Sequence, residues 1–479
     1  MATARRADSL ARRAPAAHPL AGSAQERPVP GDWAIWGRAV HAPVSGAVEV
    51  LPRALMIVDA QGTIREMRPD VSAHDQSLGS WRARGRLTEL SPAQMLLPGM
   101  VDLHVHAPQF PQAGTALDVP LEDWLQRSTF PLESRYADLD FATEVYGQLV
   151  ETLLAHGTTT ALYFATIHLP ATQRLAQICL ERGQRALVGR VAMDHPDQCP
   201  PFYRDPSAAQ AIADTRALID FIRAMPGNEA GLVCPVVTPR FVPACTDALL
   251  EGLGGLARAC GCHVQTHCSE SDWEHAHVLA RTGLTDSAVL DRHGLLGRHS
   301  VLAHANFLEP ADRALIHRQG AGIAHCPLSN AFFAGAVLPL REMLAEGLHI
   351  GLGSDIAGGP SASLFAQARM AVVASRLRET GTDSRKPAST RGTPGARIDF
   401  RTAFRLATAG GGEVLDLPVG LFRPGYAFDA LVVESGLPEG DLRFQPEEPA
   451  ETMLEKIVMT AGRADIARVW VAGRLVKSR

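Results

Sequence analysis

The chain has 479 residues, 46% of them hydrophobic, enough to bury a large core and more than one compact domain usually holds. Its formal charge of -5 comes with interspersed signs and no basic stripe, which excludes nucleic acid as an electrostatically favoured partner. No apolar run approaches the roughly 20 residues that span a bilayer, so a membrane is excluded too and small molecules remain as partners.

Residues 1–30 are rich in Ala, Arg and Pro and lack the hydrophobic block of a secretory signal; they are expected to form a disordered leader. Residues 54–67 read as two strands around a turn at Gly62, and residues 466–476 repeat that pattern around Gly473. Both ends are therefore β-rich without crossover helices. The economical arrangement is one small β-sandwich made from residues 31–90 and 425–479.

Between them, residues 91–424 alternate short apolar runs with helical stretches. Strands are expected over 97–106, 158–164, 186–193, 232–238, 263–268, 300–305, 322–326 and 349–354. Eight such units predict an α/β architecture, a (β/α)8 barrel whose chemistry sits where the strands end. An open doubly wound sheet fits the alternation as well, but no Gly-x-Gly-x-x-Gly turn follows the first strand. Residues 381–396, with Pro387, Gly392, Pro394 and Gly395, are expected as a mobile surface loop. The eight cysteines contain no Cys-x-x-Cys pair and several fall in apolar runs, a pattern of reduced thiols in a cytoplasmic protein.

The most informative stretch is His104-Val-His106 at the end of the first expected barrel strand. Residues two apart on a strand face the same side, so the two imidazoles converge and point to a transition metal, zinc first. With 18 histidines in 479 residues, about one such pair arises by chance. His275-Ala-His277 is such a pair: it lies where a helix begins, and there residues two apart diverge.

The other strand ends decide the matter. Strand five runs into His267-Cys-Ser-Glu270, strand six ends at His304, and strand eight runs into Ser354-Asp355. His104, His106 and His267 supply three nitrogens and Asp355 an oxygen to one metal, with a position left for water. Such a site activates water for hydrolysis near neutral pH. Glu270 is better placed to move protons than to ligate. His304 has the reach to hydrogen-bond the attacking water or a developing oxyanion. A lone strand histidine is more often a satisfied core residue, and it is the joint placement at four strand ends that carries the signal.

Pro98-Gly99 through His106, His267 to Glu270, His304 and Ser354-Asp355 resemble the metal motifs of the amidohydrolase superfamily. Members with two metals bridge them through a modified lysine on strand four, and residues 232–238 contain none, so the resemblance implies one ion per chain. A wider set narrows it: His106-Ala-Pro-Gln109, Thr129-Phe-Pro131, Val237-Thr-Pro-Arg240-Phe241 and Ala324-His-Cys-Pro327 with Ser329-Asn330 resemble the guanine deaminases of that superfamily. The resemblance implies that guanine is the substrate, that Gln109, Arg240 and Phe241 hold it, and that Glu270 and Asp355 move protons; with His304, placed by its strand end, these form the expected catalytic set. It also implies a homodimer. Zinc is the expected metal, and similar sites accept iron. The alternatives are a deaminase or hydrolase of another purine or a triazine, and a non-catalytic scaffold on the same barrel.

Overall fold

The computed structural model describes residues 31–479; the expected leader at 1–30 lies outside the described residues. Five strands lead in: β1 (Trp33–His41), β2 (Glu49–Val58), β3 (Ile64–Arg68), β4 (Leu87–Glu89) and β5 (Gln94–Pro98). The barrel strands follow as β6 (Met100–His106), β7 (Thr158–Phe164), β8 (Arg185–Gly189), β10 (Val233–Pro239), β11 (His263–Cys268), β12 (Ser300–His304), β13 (Gly322–His325) and β14 (His349–Leu352), with a two-residue β9 (Val191–Ala192) beside β10. The chain ends on β15 (Ala430–Glu434), β16 (Ile466–Val471) and β17 (Arg474–Ser478).

The eight barrel strands pair in parallel in the order β6-β7-β8-β10-β11-β12-β13-β14. Closure comes from the residues just past β14, where Asp355 N–H donates to the His104 carbonyl (2.8 Å) and His106 N–H donates to that of Ile356 (2.9 Å). This is the expected barrel. Between Asp102 and Val105, β6 carries one extra residue relative to β7, a bulge of the kind that re-aims side chains beside active sites.

The other sheet runs β17-β16-β15-β5-β1-β2-β3, with β4 on β1, so strands from both chain ends share it. Its central pairing sets β15 antiparallel to β5, Leu431 opposite Leu97. Alternation sorts the two faces: Leu96, Ala430 and Val432 enter a core of their own with Phe428 and Trp470, whereas Leu97, Leu431 and Val433 join the core around the barrel.

Two strand expectations need correction, and the β-rich ends also carry helices between their strands, Gln76–Ala83 and Ala450–Thr460; residues 186–193, expected as one strand, break at Arg190 into β8 and β9. Residues 97–106 were expected as a single strand, but Leu97 and Pro98 belong to β5 and β6 begins at Met100. The break is at Gly99, where an added Cβ would lie 2.1 Å from Thr159 Oγ1, so only glycine lets the chain cross from one sheet to the other against β7. The expected loop at 381–396 lies at the surface and contains a short helix, Ala388–Arg391. Thr393 N–H donates to the Arg378 carbonyl and Arg391 Nε to that of Thr380, which tie it to the end of the helix Leu364–Thr380.

Close approach also explains Gly189, the last residue of β8. A Cβ there would sit 1.8 Å from Thr238 Oγ1 and 2.9 Å from Gln265 Nε2. Gly189→Ala is therefore expected to cost about 1–3 kcal/mol through overpacking. Thermal melting checks this, and an unchanged midpoint would contradict the packing argument.

Candidate active site

Every expected site residue lies at the carboxyl end of a barrel strand or in the turn that follows. His104 and His106 close β6, and Gln109 sits in the 3-10 turn Ala107–Gln112. Arg240 and Phe241 follow β10, His267 is on β11 with Glu270 just beyond, His304 ends β12, and Asp355 lies three residues past β14. All nine are buried.

The expected ligands lie side by side. Asp355 Oδ1 is 3.2 Å from His104 Nε2 and 3.7 Å from His106 Nε2, and the Nε2 atoms of His106 and His267 are 2.9 Å apart. His267 Nδ1 donates to the Arg240 carbonyl at 2.5 Å, so its Nε2 bears the lone pair. Both nitrogens of His104 and Nδ1 of His106 are buried with no hydrogen-bond partner. Burial holds all three imidazoles well below the usual histidine range, which keeps them neutral. Neutral imidazoles aimed at each other and at a carboxylate suit a divalent cation, and the donor atoms form three overlapping groups that could hold one: His104 with His106 and Asp355, His104 with His267 and His304, and Glu270 with His304 and Asp355. Phe164, the last residue of β7, packs against all three rings with centroids 4.8 to 4.9 Å away, an apolar support the sequence reading did not single out.

The decoy pair separates as the helix periodicity requires. His275 stacks toward Phe307 and His277 toward Trp273, both on the helix Asp272–Thr282.

His304 Nε2 lies 3.6 Å from Glu270 Oε1 and 3.9 Å from Asp355 Oδ2. Burial and the nearby Asp355 push the Glu270 carboxyl well above the usual carboxylate range, with Arg240 opposing. Burial raises Asp355 as well, while His304 pulls it down. Two carboxyls this close in a dry site favour one proton between them, and Glu270, displaced further, is the group that carries it. A cation bound among the imidazoles would reinforce this by holding Asp355 ionised.

The expected substrate contacts Arg240 and Gln109 are both held by a residue that the sequence reading missed. Glu133, fully buried on the short helix Phe130–Ser134, accepts two hydrogen bonds from Arg240, at 2.6 and 3.1 Å, and one from Gln109 Nε2 at 2.9 Å. Gln109 Oε1 in turn accepts from Ala357 N–H at 3.2 Å. This fixes the orientation of a side-chain amide that could otherwise face either way. No local signal marks Glu133, because its partner Arg240 is 107 residues away in the chain.

Most of these groups line one cavity at the strand ends. His106, His267, Glu270 and Asp355 form one wall, Gln109 and Arg240 another, and Leu121, Trp124, Leu125, Phe241 and Phe333 supply apolar surface. Trp124 and Phe333 meet with ring centroids 5.0 Å apart. The arrangement sets a buried carboxyl with a raised pKa and a cluster that could hold a cation beside a pocket with apolar walls and a polar edge.

The amidohydrolase family model matches residues 95–476. A probable guanine deaminase of Schizosaccharomyces pombe is 36% identical over 448 residues, covering 92% of this chain and 82% of the relative. Among solved structures, the guanine deaminase from C. acetobutylicum with bound guanine in the active site superposes with a TM-score of 0.81 at 28% identity, covering 93% of this chain and 99% of that one. An adenosine deaminase from Xanthomonas campestris with bound zinc gives a TM-score of 0.75 at 25% identity, covering 94% of this chain and 93% of that one. The barrel, the strand-end cluster and these matches agree: the chain belongs to the amidohydrolase family.

Proposed function

We propose that this chain catalyses the hydrolytic deamination of guanine to xanthine and ammonia, with one zinc ion per chain. The observation that carries the reading is the buried Glu133 clamp, which holds Arg240 and Gln109 against the cavity they share with Glu270 and the imidazoles. The guanine deaminase relatives and the guanine-bound neighbour support the substrate, and the zinc-bound neighbour supports the metal.

Held by His104, His106, His267 and Asp355, zinc would supply Lewis acidity and lower the pKa of a water to about 7; iron suits the same donors. Arg240 gives two of its five N–H groups to Glu133 and keeps donors for the acceptors O6 and N7 of guanine. Gln109 retains one amide hydrogen and one lone pair for the ring edge, and Phe241 offers an apolar face. Glu270 delivers its proton to the ring nitrogen beside carbon 2, which makes that carbon electrophilic. Asp355 and His304 are placed to accept a proton from the attacking water. Water oxygen bonds to carbon 2, the carbon–nitrogen bond breaks, and the amine takes up the proton released by the water. The remaining hydroxyl proton returns to Glu270 as the new carbonyl forms.

Ammonia release from guanine, 8-oxoguanine, adenine, cytosine and S-adenosylhomocysteine tests the assignment. Guanine is the expected substrate, and adenine is expected to fall behind by about 10⁴, because its 6-amino donor faces the Arg240 donors and leaves buried groups unpaired. Inert guanine with rapid turnover of another compound would overturn the substrate. Chelation should abolish activity and zinc restore it; activity that survives complete metal removal would overturn the cofactor. Eight free cysteines support the cytoplasmic location, and light scattering at working concentration tests the homodimer that the resemblance implies.

A further inference from the structure

Glu270 and His304 are joined behind the cavity by a chain of hydrogen bonds through two asparagines. Asn306 Nδ2 donates to the Glu270 carbonyl at 2.9 Å, and Asn306 Oδ1 accepts from Asn330 Nδ2 at 2.8 Å. Asn330 Oδ1 then lies 3.0 Å from His304 Nδ1. The main chain holds both ends in place: Asn306 and Phe307 N–H groups donate to the Ser269 carbonyl, and Ala305 N–H donates to that of Cys268. His304 and Ala305 adopt left-handed φ of 70° and 56°, and Ser269 one of 48°, a cluster of unfavourable conformations that such bonds must sustain.

The direction of this chain is dictated at one end. A backbone carbonyl accepts and never donates, so Asn306 must present its NH₂ to Glu270 and its oxygen to Asn330. Asn330 must then present NH₂ to Asn306 and oxygen to His304, so the ring proton has to sit on His304 Nδ1. His304 Nε2, which has no other partner, is left with its lone pair facing Glu270 and Asp355.

We infer that Asn306 is a positioning residue: through Asn330 it relays the acceptor character of the Glu270 carbonyl and sets His304 as the Nδ1–H tautomer, an acceptor toward Glu270 and Asp355. His304 therefore takes up a proton before it can give one. This sharpens the role open to it, since a neutral ring in this tautomer accepts from the attacking water and cannot donate to a developing oxyanion. The kinetic consequence rests on the guanine deaminase reading; the tautomer does not.

The test uses the metal-loaded enzyme with ¹⁵N-labelled histidine, the His304 signals being identified by their absence in His304→Gln. Wild type should show a protonated Nδ1 and a bare Nε2. Asn306→Ala leaves Asn330 Nδ2 only its longer contact with His325 Nδ1, at 3.5 Å, and should give mixed tautomers, with kcat lower by about tenfold, the smaller end of the loss seen when ring-orienting partners are removed, and KM within about twofold. Asn306→Ala combined with Asn330→Asp should restore the Nδ1–H form, because a carboxylate accepts in either orientation. Asn306→Lys offers only donors and should move the proton to Nε2, which keeps the idea testable if the alanine variant does not fold. A single Nδ1–H tautomer persisting in Asn306→Ala or Asn306→Lys overturns the relay. Wild type inert toward guanine overturns the substrate instead, and the tautomer measurement still decides the relay.

Discussion

Glu270→Gln is expected to lose about 10²–10⁴ in kcat/KM toward guanine while keeping its full complement of metal. The carboxyl is isosteric with the amide, so the pocket wall is retained and only the transferable proton goes. Metal content should not change, since the proposed ligands are His104, His106, His267 and Asp355, and Glu270 is not among them. The sign of the pH dependence follows from the direction of its shift. Burial raises the Glu270 pKa, and the group works in its protonated form, so wild-type activity is present below that raised pKa and lost as pH rises through it. The glutamine variant should lack this alkaline limb. Ammonia release across pH, beside metal analysis of the same preparation, measures both; near-normal turnover would remove Glu270 from the proton-transfer role.

Glu133→Ala is expected to be the most damaging change away from the metal cluster. It leaves the Arg240 guanidinium, itself only 2% exposed, without a counter-charge in a dry site. Breaking a buried ion pair from one side typically costs about 3–5 kcal/mol, because the remaining charge is left uncompensated. Gln109 loses its anchor in the same step, so guanine recognition should fall with stability. A second variant separates the two effects. Replacing both partners, Glu133→Leu with Arg240→Met, removes the stranded charge and should recover much of the melting temperature, yet guanine turnover should stay low because the donors for O6 and N7 are gone. If the double variant melts no higher than Glu133→Ala, the stranded-charge explanation fails. If it turns over guanine normally, the clamp has no part in recognition.

The two variants bear on residues of different legibility. Glu270 stands three positions from His267 in a turn that extends an expected strand, so its place was visible from spacing alone. Glu133 sits in the long connection between β6 and β7, among residues with no periodic pattern that would set a carboxylate apart. Asn330 is similar. It stands in a stretch that carries the guanine deaminase resemblance, and only its contact with His304 on another strand pairs it with a ring. The error at residues 97–106 has a related cause. Both halves are apolar and buried, so hydropathy runs straight through Gly99, and only the pairing of Leu97 with Leu431 reveals that the chain has changed sheets.

What the sequence by itself determined is which titratable side chains stand at strand ends. Strand alternation and strand-to-turn punctuation are local properties, and a parallel barrel brings all its strand ends to one face. What only the tertiary structure decided is how those side chains are paired: that Glu133 clamps Arg240 and Gln109, that Asp355 is fastened to β6 through the His104 carbonyl, and that the carbonyl of Glu270 settles where His304 keeps its proton. The reason is physical. Hydrogen-bond direction and charge pairing depend on distances between residues far apart in the chain, and those distances exist only once the barrel has closed.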